Sequence, residues 1–136
     1  MFSKLRKIFL RRNTPSEIEI HMGYIFKDKD LLKIALTHRS MVDENHRSYE
    51  RLEFLGDSIL DLIVSEYLYL KLPKESEGSL TLHRTVLVNA DYLLEVAAKL
   101  MLNKYCIVEK GINLNNPSTS KKLLSSVVES LIGLFI

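Results

Sequence analysis

The chain has one cysteine, Cys106, so an internal disulfide is excluded, and no Cys/His cluster shows the spacing of a zinc site. Cys106 reads as a small apolar packing residue rather than a nucleophile. Long apolar runs are missing as well. Charge interrupts every helical stretch, so no segment is expected to cross a membrane. There is no internal repeat, no low-complexity tract and no period-two strand pattern. Neither sign of charge dominates: 19 Lys and Arg face 17 Asp and Glu, and the net charge of +2 is a weak pointer to a polyanionic partner. What remains is the balance of a globular domain, with 46% hydrophobic and 26% charged residues in 136. One domain of this length buries roughly two-thirds of the surface its unfolded chain exposes, and needs neither disulfide nor structural metal to fold.

Basic residues are concentrated at the start. Lys4, Arg6, Lys7, Arg11 and Arg12 alternate with Phe2, Leu5, Ile8, Phe9 and Leu10, so residues 1–13 form a basic amphipathic segment. Three readings stay open: a leading helix packed on the domain, a nucleic-acid contact, or a targeting segment. Its apolar part is too broken for a secretory signal, and a cytoplasmic setting is the default.

The rest, residues 14–136, reads as a single all-α domain. Thr14-Pro15-Ser16-Glu17 is a helix start with a capping box, and Gly23 closes that helix. A second helix opens at Asp28 or Asp30 and ends near Thr37-His38-Arg39-Ser40, before a polar loop at 41–47. From Tyr49 to Leu70 the chain is proline-free and apolar on nearly all sides, which predicts a buried central helix. Pro73 and Gly78 mark the next turn. Two helices follow, from Leu80 to Val88 and from Ala90 to Leu102. Residues 107–120 read as a loop, and a last helix begins at Lys121. Its end, Leu131-Ile132-Gly133-Leu134-Phe135-Ile136, needs covering by a partner chain or by more of a longer protein.

Chemistry is most visible in the central helix. Glu53, Asp57 and Asp61 are spaced by four and share one helix face. Two unit charges about 4 Å apart near a protein surface repel by roughly 4 kcal/mol before screening. A divalent cation would relieve that, although a solvated helix face explains such a stripe equally well. Gly56 favours the first reading. A glycine inside a helix costs about 1 kcal/mol and calls for a reason such as close approach of another backbone. Glu129 adds to it, as a lone carboxylate among Val127, Val128, Leu131 and Ile132 that is expensive to bury unless paired or metal-bound.

Glu50-Arg51-Leu52-Glu53-Phe54-Leu55-Gly56-Asp57-Ser58-Ile59-Leu60 resembles the signature of the ribonuclease III family almost residue for residue. Three further stretches resemble it in the family's order: Ala35-Leu36-Thr37-His38-Arg39-Ser40, then Glu77-Gly78-Ser79-Leu80-Thr81 with Arg84 and Leu87-Val88-Asn89, then Val128-Glu129-Ser130-Leu131-Ile132-Gly133. The resemblance covers residues 17–136. It implies an all-α endonuclease domain, a multi-helix bundle around a long central helix, that pairs as a homodimer and holds double-stranded RNA in a valley between the subunits. It further implies hydrolysis to 5′-phosphate and 3′-hydroxyl ends with magnesium as cofactor, manganese being able to substitute, and neither an organic cofactor nor a membrane. Glu53, Asp57 and Glu129 match metal-binding, catalytic carboxylates of the family. Glu50 and Glu77 match outer acidic positions of the valley, with salt-bridge or capping roles as the alternative. Phe54 matches an aromatic at the dimer contact, with core packing as its alternative. His38 fits a helix-end anchor better than a general base. Arg84, Lys121 and Lys122 could meet phosphates or complement helix dipoles.

The chain departs from the family where a fourth carboxylate is expected, three residues before Glu129. That position is Ser126, and residues 110–128 hold no Asp or Glu that could replace it. The site thus carries one negative charge fewer and should bind metal more weakly. Ser48 stands where the family often has asparagine. No double-stranded-RNA-binding domain follows, and the last helix reads as incomplete, both as expected of a piece of a longer protein. Ser126 keeps a second function open, a non-catalytic RNA-binding or assembly subunit of the same fold. The retention of Glu50, Glu53, Asp57, Glu77 and Glu129 speaks for the nuclease.

Overall fold

A computed structural model describes residues 15–136, and helices make up its architecture. They are α1 (Glu17–Met22), α2 (Lys29–Leu36), α3 (Glu50–Lys71), α4 (Glu77–Leu87), α5 (Ala90–Lys99) and α6 (Pro117–Leu134), with short 3-10 turns at Arg39–Met41, Asn45–Arg47 and Leu102–Lys104. The basic segment of residues 1–13 lies outside the described residues. No strand occurs among the described residues. An isolated bridge pairs Thr37 with Ile107, where the His38 N–H donates to the Ile107 carbonyl and the Ile107 N–H to that of Leu36, both at 2.8 Å.

Local chemistry sets the helix starts. Asp28 caps α2 by accepting the Leu31 N–H at 2.9 Å. Ser76, Asn89 and Asn116 do the same for α4, α5 and α6, accepting from Ser79, Tyr92 and Ser118. The first helix is capped by Ser16, not Thr14, and the carboxylate reaching back is that of Glu19, not Glu17. The last helix starts at Pro117, four residues before the Lys121 expected from apolar spacing. Asn116 and a proline at the first helical position outweigh the low helix propensity of Ser118, Thr119 and Ser120.

Burial corrects one expectation outright. The long helix α3 is not the buried centre: of its 22 residues only Gly56 and Leu68 are buried. The centre is α6, where eleven of 18 residues are buried, four of them serines. Its apolar side chains join Ile18, Phe26, Leu32, Ala35, Tyr49, Leu93, Ala97 and Leu102 in one core. The serines satisfy their hydroxyls locally, as Ser125 does on the Lys122 carbonyl, or across the core, as Ser130 does on the Ala35 carbonyl at 3.0 Å. On α3 only the row Leu52, Gly56, Leu60, Val64, Leu68 is turned inward. The adjoining rows leave Phe54, Leu62, Ile63, Tyr67 and Leu70 exposed, and Leu82 and Val86 of α4 are exposed too.

The amino-terminal end is held by a buried charge. Glu19 is 1% exposed and accepts from the Ser16 N–H, the Ser16 hydroxyl, the Phe26 N–H and the Lys29 ammonium. Burial alone would raise its carboxyl, but these donors prevail and bring it down to about 2. Phe26 and Tyr24 in turn pack on Phe135, with ring centroids 5.1 and 4.8 Å away. The end of α6 is therefore partly covered within the chain: Leu131 and Leu134 are buried, while Ile136 stays 83% exposed.

Candidate metal centre at the helix crossing

Two glycines let α3 and α6 touch backbone to backbone. A Cβ on Gly56 would sit 1.7 Å from the Glu129 carbonyl oxygen, and one on Gly133 would sit 2.3 Å from that of Leu52. Neither position can carry a side chain without forcing the helices apart. Gly56 thus has the structural reason its place inside a helix demands.

This contact brings Glu129 to the acidic face of α3. Glu129 is half-buried, and its carboxyl is pushed up to about 7, chiefly by burial and then by the charges of Asp57, Glu53 and Asp61. Glu129 therefore feels the charges of all three carboxylates of the stripe. Three of the expected site residues, Glu53, Asp57 and Glu129, come together here, and Asp61 joins them from the next turn. No set of three His, Cys, Asp or Glu side chains closes into a metal cage among the described residues. The donor chemistry nevertheless suits magnesium, which takes one or two carboxylates and keeps several waters. An open set of carboxylate oxygens carrying uncompensated negative charge fits that ion.

Ser126 is 7% exposed, one helical turn before Glu129, and Tyr49 is buried at the start of α3. Both line a cleft of about 560 Å³ together with His38, Glu50, Glu53 and Lys122, and the amino-terminal turn of α6 completes its wall. Glu50 is thus beside Glu53, accepting from the Ser48 hydroxyl at 3.4 Å. Glu77 stands elsewhere. It accepts from the Thr81 hydroxyl at 2.8 Å and lines a separate cleft of about 270 Å³ with Ser65 and Arg84. Arg84 donates to the Ser65 hydroxyl at 2.9 Å, and Lys121 pairs with Asp91 at 2.6 Å. His38 caps its 3-10 turn by accepting from the Ser40 N–H. Cys106 is a packing residue whose burial pushes its thiol up to about 12, which keeps it protonated and unreactive. Phe54 is 79% exposed, so core packing within its own chain does not explain it.

One participant, Tyr49, entered the sequence reading only as a helix start, and a second, Asp61, only as part of the stripe. Asp61 was visible in the stripe, but nothing in its spacing distinguished it from a solvated residue. Tyr49 directly precedes the signature and packs against His38, with ring centroids 5.8 Å apart. A large polar aromatic at a helix start was the one available signal.

Comparison with known proteins identifies the family of the fold. Residues 28–135 match the family model described as Ribonuclease-III-like. Among curated relatives, Ribonuclease 3 of Protochlamydia amoebophila is 42% identical over 125 residues, 90% of this chain and 51% of that protein. Ribonuclease 3 of Nitratiruptor sp. is 44% identical over 117 residues, 86% of this chain and 51% of that protein. The chain therefore spans about half the length of the curated relatives it matches. Two solved structures of the ribonuclease III nuclease domain of Campylobacter jejuni superpose with TM-scores of 0.79 and 0.77 at 39% identity. Both matches cover 87% of this chain, and 81% and 79% of those chains, respectively. The first of them is described as flexible in a region involved in dimer formation. With its signature stripe, its glycine crossing and this match over most of its length, the chain belongs to the ribonuclease-III-like family.

Proposed function

We propose that this chain is the nuclease domain of a magnesium-dependent endoribonuclease that cuts double-stranded RNA. The observation that carries the reading is the placement of Glu129 of α6 beside Glu53 and Asp57 of α3, with its carboxyl pushed up to about 7 by burial and by those charges. Glu53, Asp57 and Glu129 would hold the ion. When bound, magnesium polarises the scissile phosphate and generates the attacking hydroxide near neutral pH. The protein's own part is to fix three carboxylates on two helices that cannot shift, because their backbones already touch. Ser126 adds a neutral hydroxyl where a fourth carboxylate would strengthen the site. Glu50 extends the acidic wall, and Lys122 places a cation at the rim of the same cleft.

A homodimer belongs to this reading. Phe54, Leu62, Ile63, Tyr67, Leu82 and Val86 form an apolar surface on α3 and α4 that a second copy would cover. The duplex would then lie in the valley between two carboxylate sites, one for each strand, held by A-form shape and phosphate contacts rather than by sequence. Strand scission adds water to phosphorus and releases the 3′ oxygen as a hydroxyl, leaving a 5′-phosphate. A purely scaffolding role, which Ser126 kept open, is not favoured by relatives that carry the name Ribonuclease 3.

The test is cleavage of a long RNA duplex by the purified chain in magnesium, then in EDTA, beside the Asp57→Asn variant. Staggered products that vanish with EDTA and fall by about 10³-fold or more in Asp57→Asn are expected. Undiminished cleavage by the variant would remove Asp57 from the site. A folded, dimeric wild-type chain that cuts nothing would return the scaffold reading.

A further inference from the structure

The carboxyl end of α2 holds both helices that carry the carboxylates. The helix stops at Leu36, so the carbonyls at its end have no N–H of their own helix to accept. Three consecutive ones are taken by other elements. Ala35 accepts the Ser130 hydroxyl of α6 at 3.0 Å, Leu36 the Ile107 N–H at 2.8 Å, and Thr37 the Tyr49 N–H at 2.9 Å. Tyr49 in turn accepts the Glu53 N–H at 2.8 Å, which opens the first turn of α3. Ser130 directly follows Glu129 in the chain. Ser130 and Ala35 are both 0% exposed, so water has no access to replace their bond.

We infer that Ser130 is a positioning residue of the carboxylate centre: its bond to α2 fixes the rotation of α6 about its own axis, and so the direction in which Glu129 faces α3. The inference rests on the metal-binding reading above and deepens it. The contact at Gly56 and Gly133 sets how closely the two helices approach, but a helix touching through bare backbone can still turn about its axis. Consecutive helical residues point about 100° apart, so Ser130 can reach α2 while Glu129 turns to α3. A turn of about 10° would carry a side-chain tip, about 6 Å from the axis, roughly 1 Å sideways. Groups that hold metal ligands from behind shift metal affinity by about 10- to 100-fold when removed. The Ser130 bond belongs in that range. Ser125 supplies the contrast, because its hydroxyl bonds the Lys122 carbonyl of α6 itself at 3.0 Å, and that bond ties α6 to no other element.

The experiment is a Mn²⁺ titration of the full chain, read by the loss of the free-ion electron paramagnetic resonance signal. It compares wild type with Ser130→Ala, Ser130→Cys and Ser125→Ala, each verified as folded by circular dichroism. The thiol of Ser130→Cys fills nearly the same space but donates poorly, so it removes the bond and keeps the packing. We expect about tenfold weaker Mn²⁺ binding in Ser130→Ala and in Ser130→Cys, and wild-type binding in Ser125→Ala. Should Ser130→Ala fail to fold, Ser130→Cys and Ser125→Ala decide together. Wild-type affinity in a folded Ser130 variant would overturn the role of Ser130, and so would an equal loss in Ser125→Ala. Absence of Mn²⁺ binding by the wild type itself would instead overturn the metal reading, and this inference with it.

Discussion

Helices α3 and α6 invert what their compositions suggest. The 22-residue α3 is rich in Leu, Ile and aromatic residues, yet it is mostly exposed in the single chain. The 18-residue α6 carries five serines and a glycine, yet it forms the centre of the core. Size explains the inversion better than hydrophobicity does. Gly133 lets the backbone of α3 approach α6, and serine can be buried at little cost because it bonds a carbonyl of its own helix or of α2. Large apolar residues on α3 need a partner of their own and find none among the described residues. Only the row that includes Gly56 turns inward, and the carboxylate row lies directly beside it.

The largest way to break this arrangement is Gly56→Ala. In an ordinary helix that change is favourable by about 1 kcal/mol. Here the new methyl would meet the Glu129 carbonyl, so a loss of about 3 kcal/mol or more in unfolding free energy is expected, read by urea denaturation. A neutral or stabilising result would mean that the helices do not touch at this point. The outward rows of α3 are addressed next by Phe54→Ala. Removal of a central aromatic anchor should weaken self-association by about 2 kcal/mol, roughly 30-fold in dimer Kd, with no change in the helical spectrum. Sedimentation velocity checks this, and an unaltered dimer would place the interface elsewhere.

The smallest effect sharpens the comparison at the carboxylates. The Glu129 carboxyl titrates near 7 in the fold, above its ordinary value of 4.5. Between these values the folded chain holds a proton that the unfolded chain has released, so stability is greatest below about 4.5 and declines as pH rises through 7. Because the side chain is only half-buried, solvent screens much of the effect. Melting temperature without metal should fall by roughly 3 °C between pH 5 and pH 8 from this group. Magnesium should restore it more at pH 8 than at pH 5, since it competes with the proton. Equal magnesium shifts at both pH values would remove Glu129 from the site.

Much of this was legible before any coordinates. Helix class and most boundaries follow from caps such as Asp28 and Asn89 and from the punctuation at Gly23 and Pro73. Glu53 and Asp57 are legible from spacing by four, and Gly56 from its cost inside a helix. Which helix would be buried was not legible, because an apolar residue reads alike whether it meets its own core or another subunit. The grouping of Glu129 with Glu53 and Asp57 came from the family resemblance; the backbone contact that brings them together, at Gly56 and Gly133, 77 positions apart in the chain, has no local signature.

The most direct measurement is anomalous X-ray scattering from Mn²⁺-soaked crystals of the chain. An anomalous peak contacted by carboxylate oxygens of Glu53, Asp57 and Glu129, and absent from crystals of Asp57→Asn, is the expected result. A peak remote from the α3–α6 crossing, or one undiminished in Asp57→Asn, would contradict it.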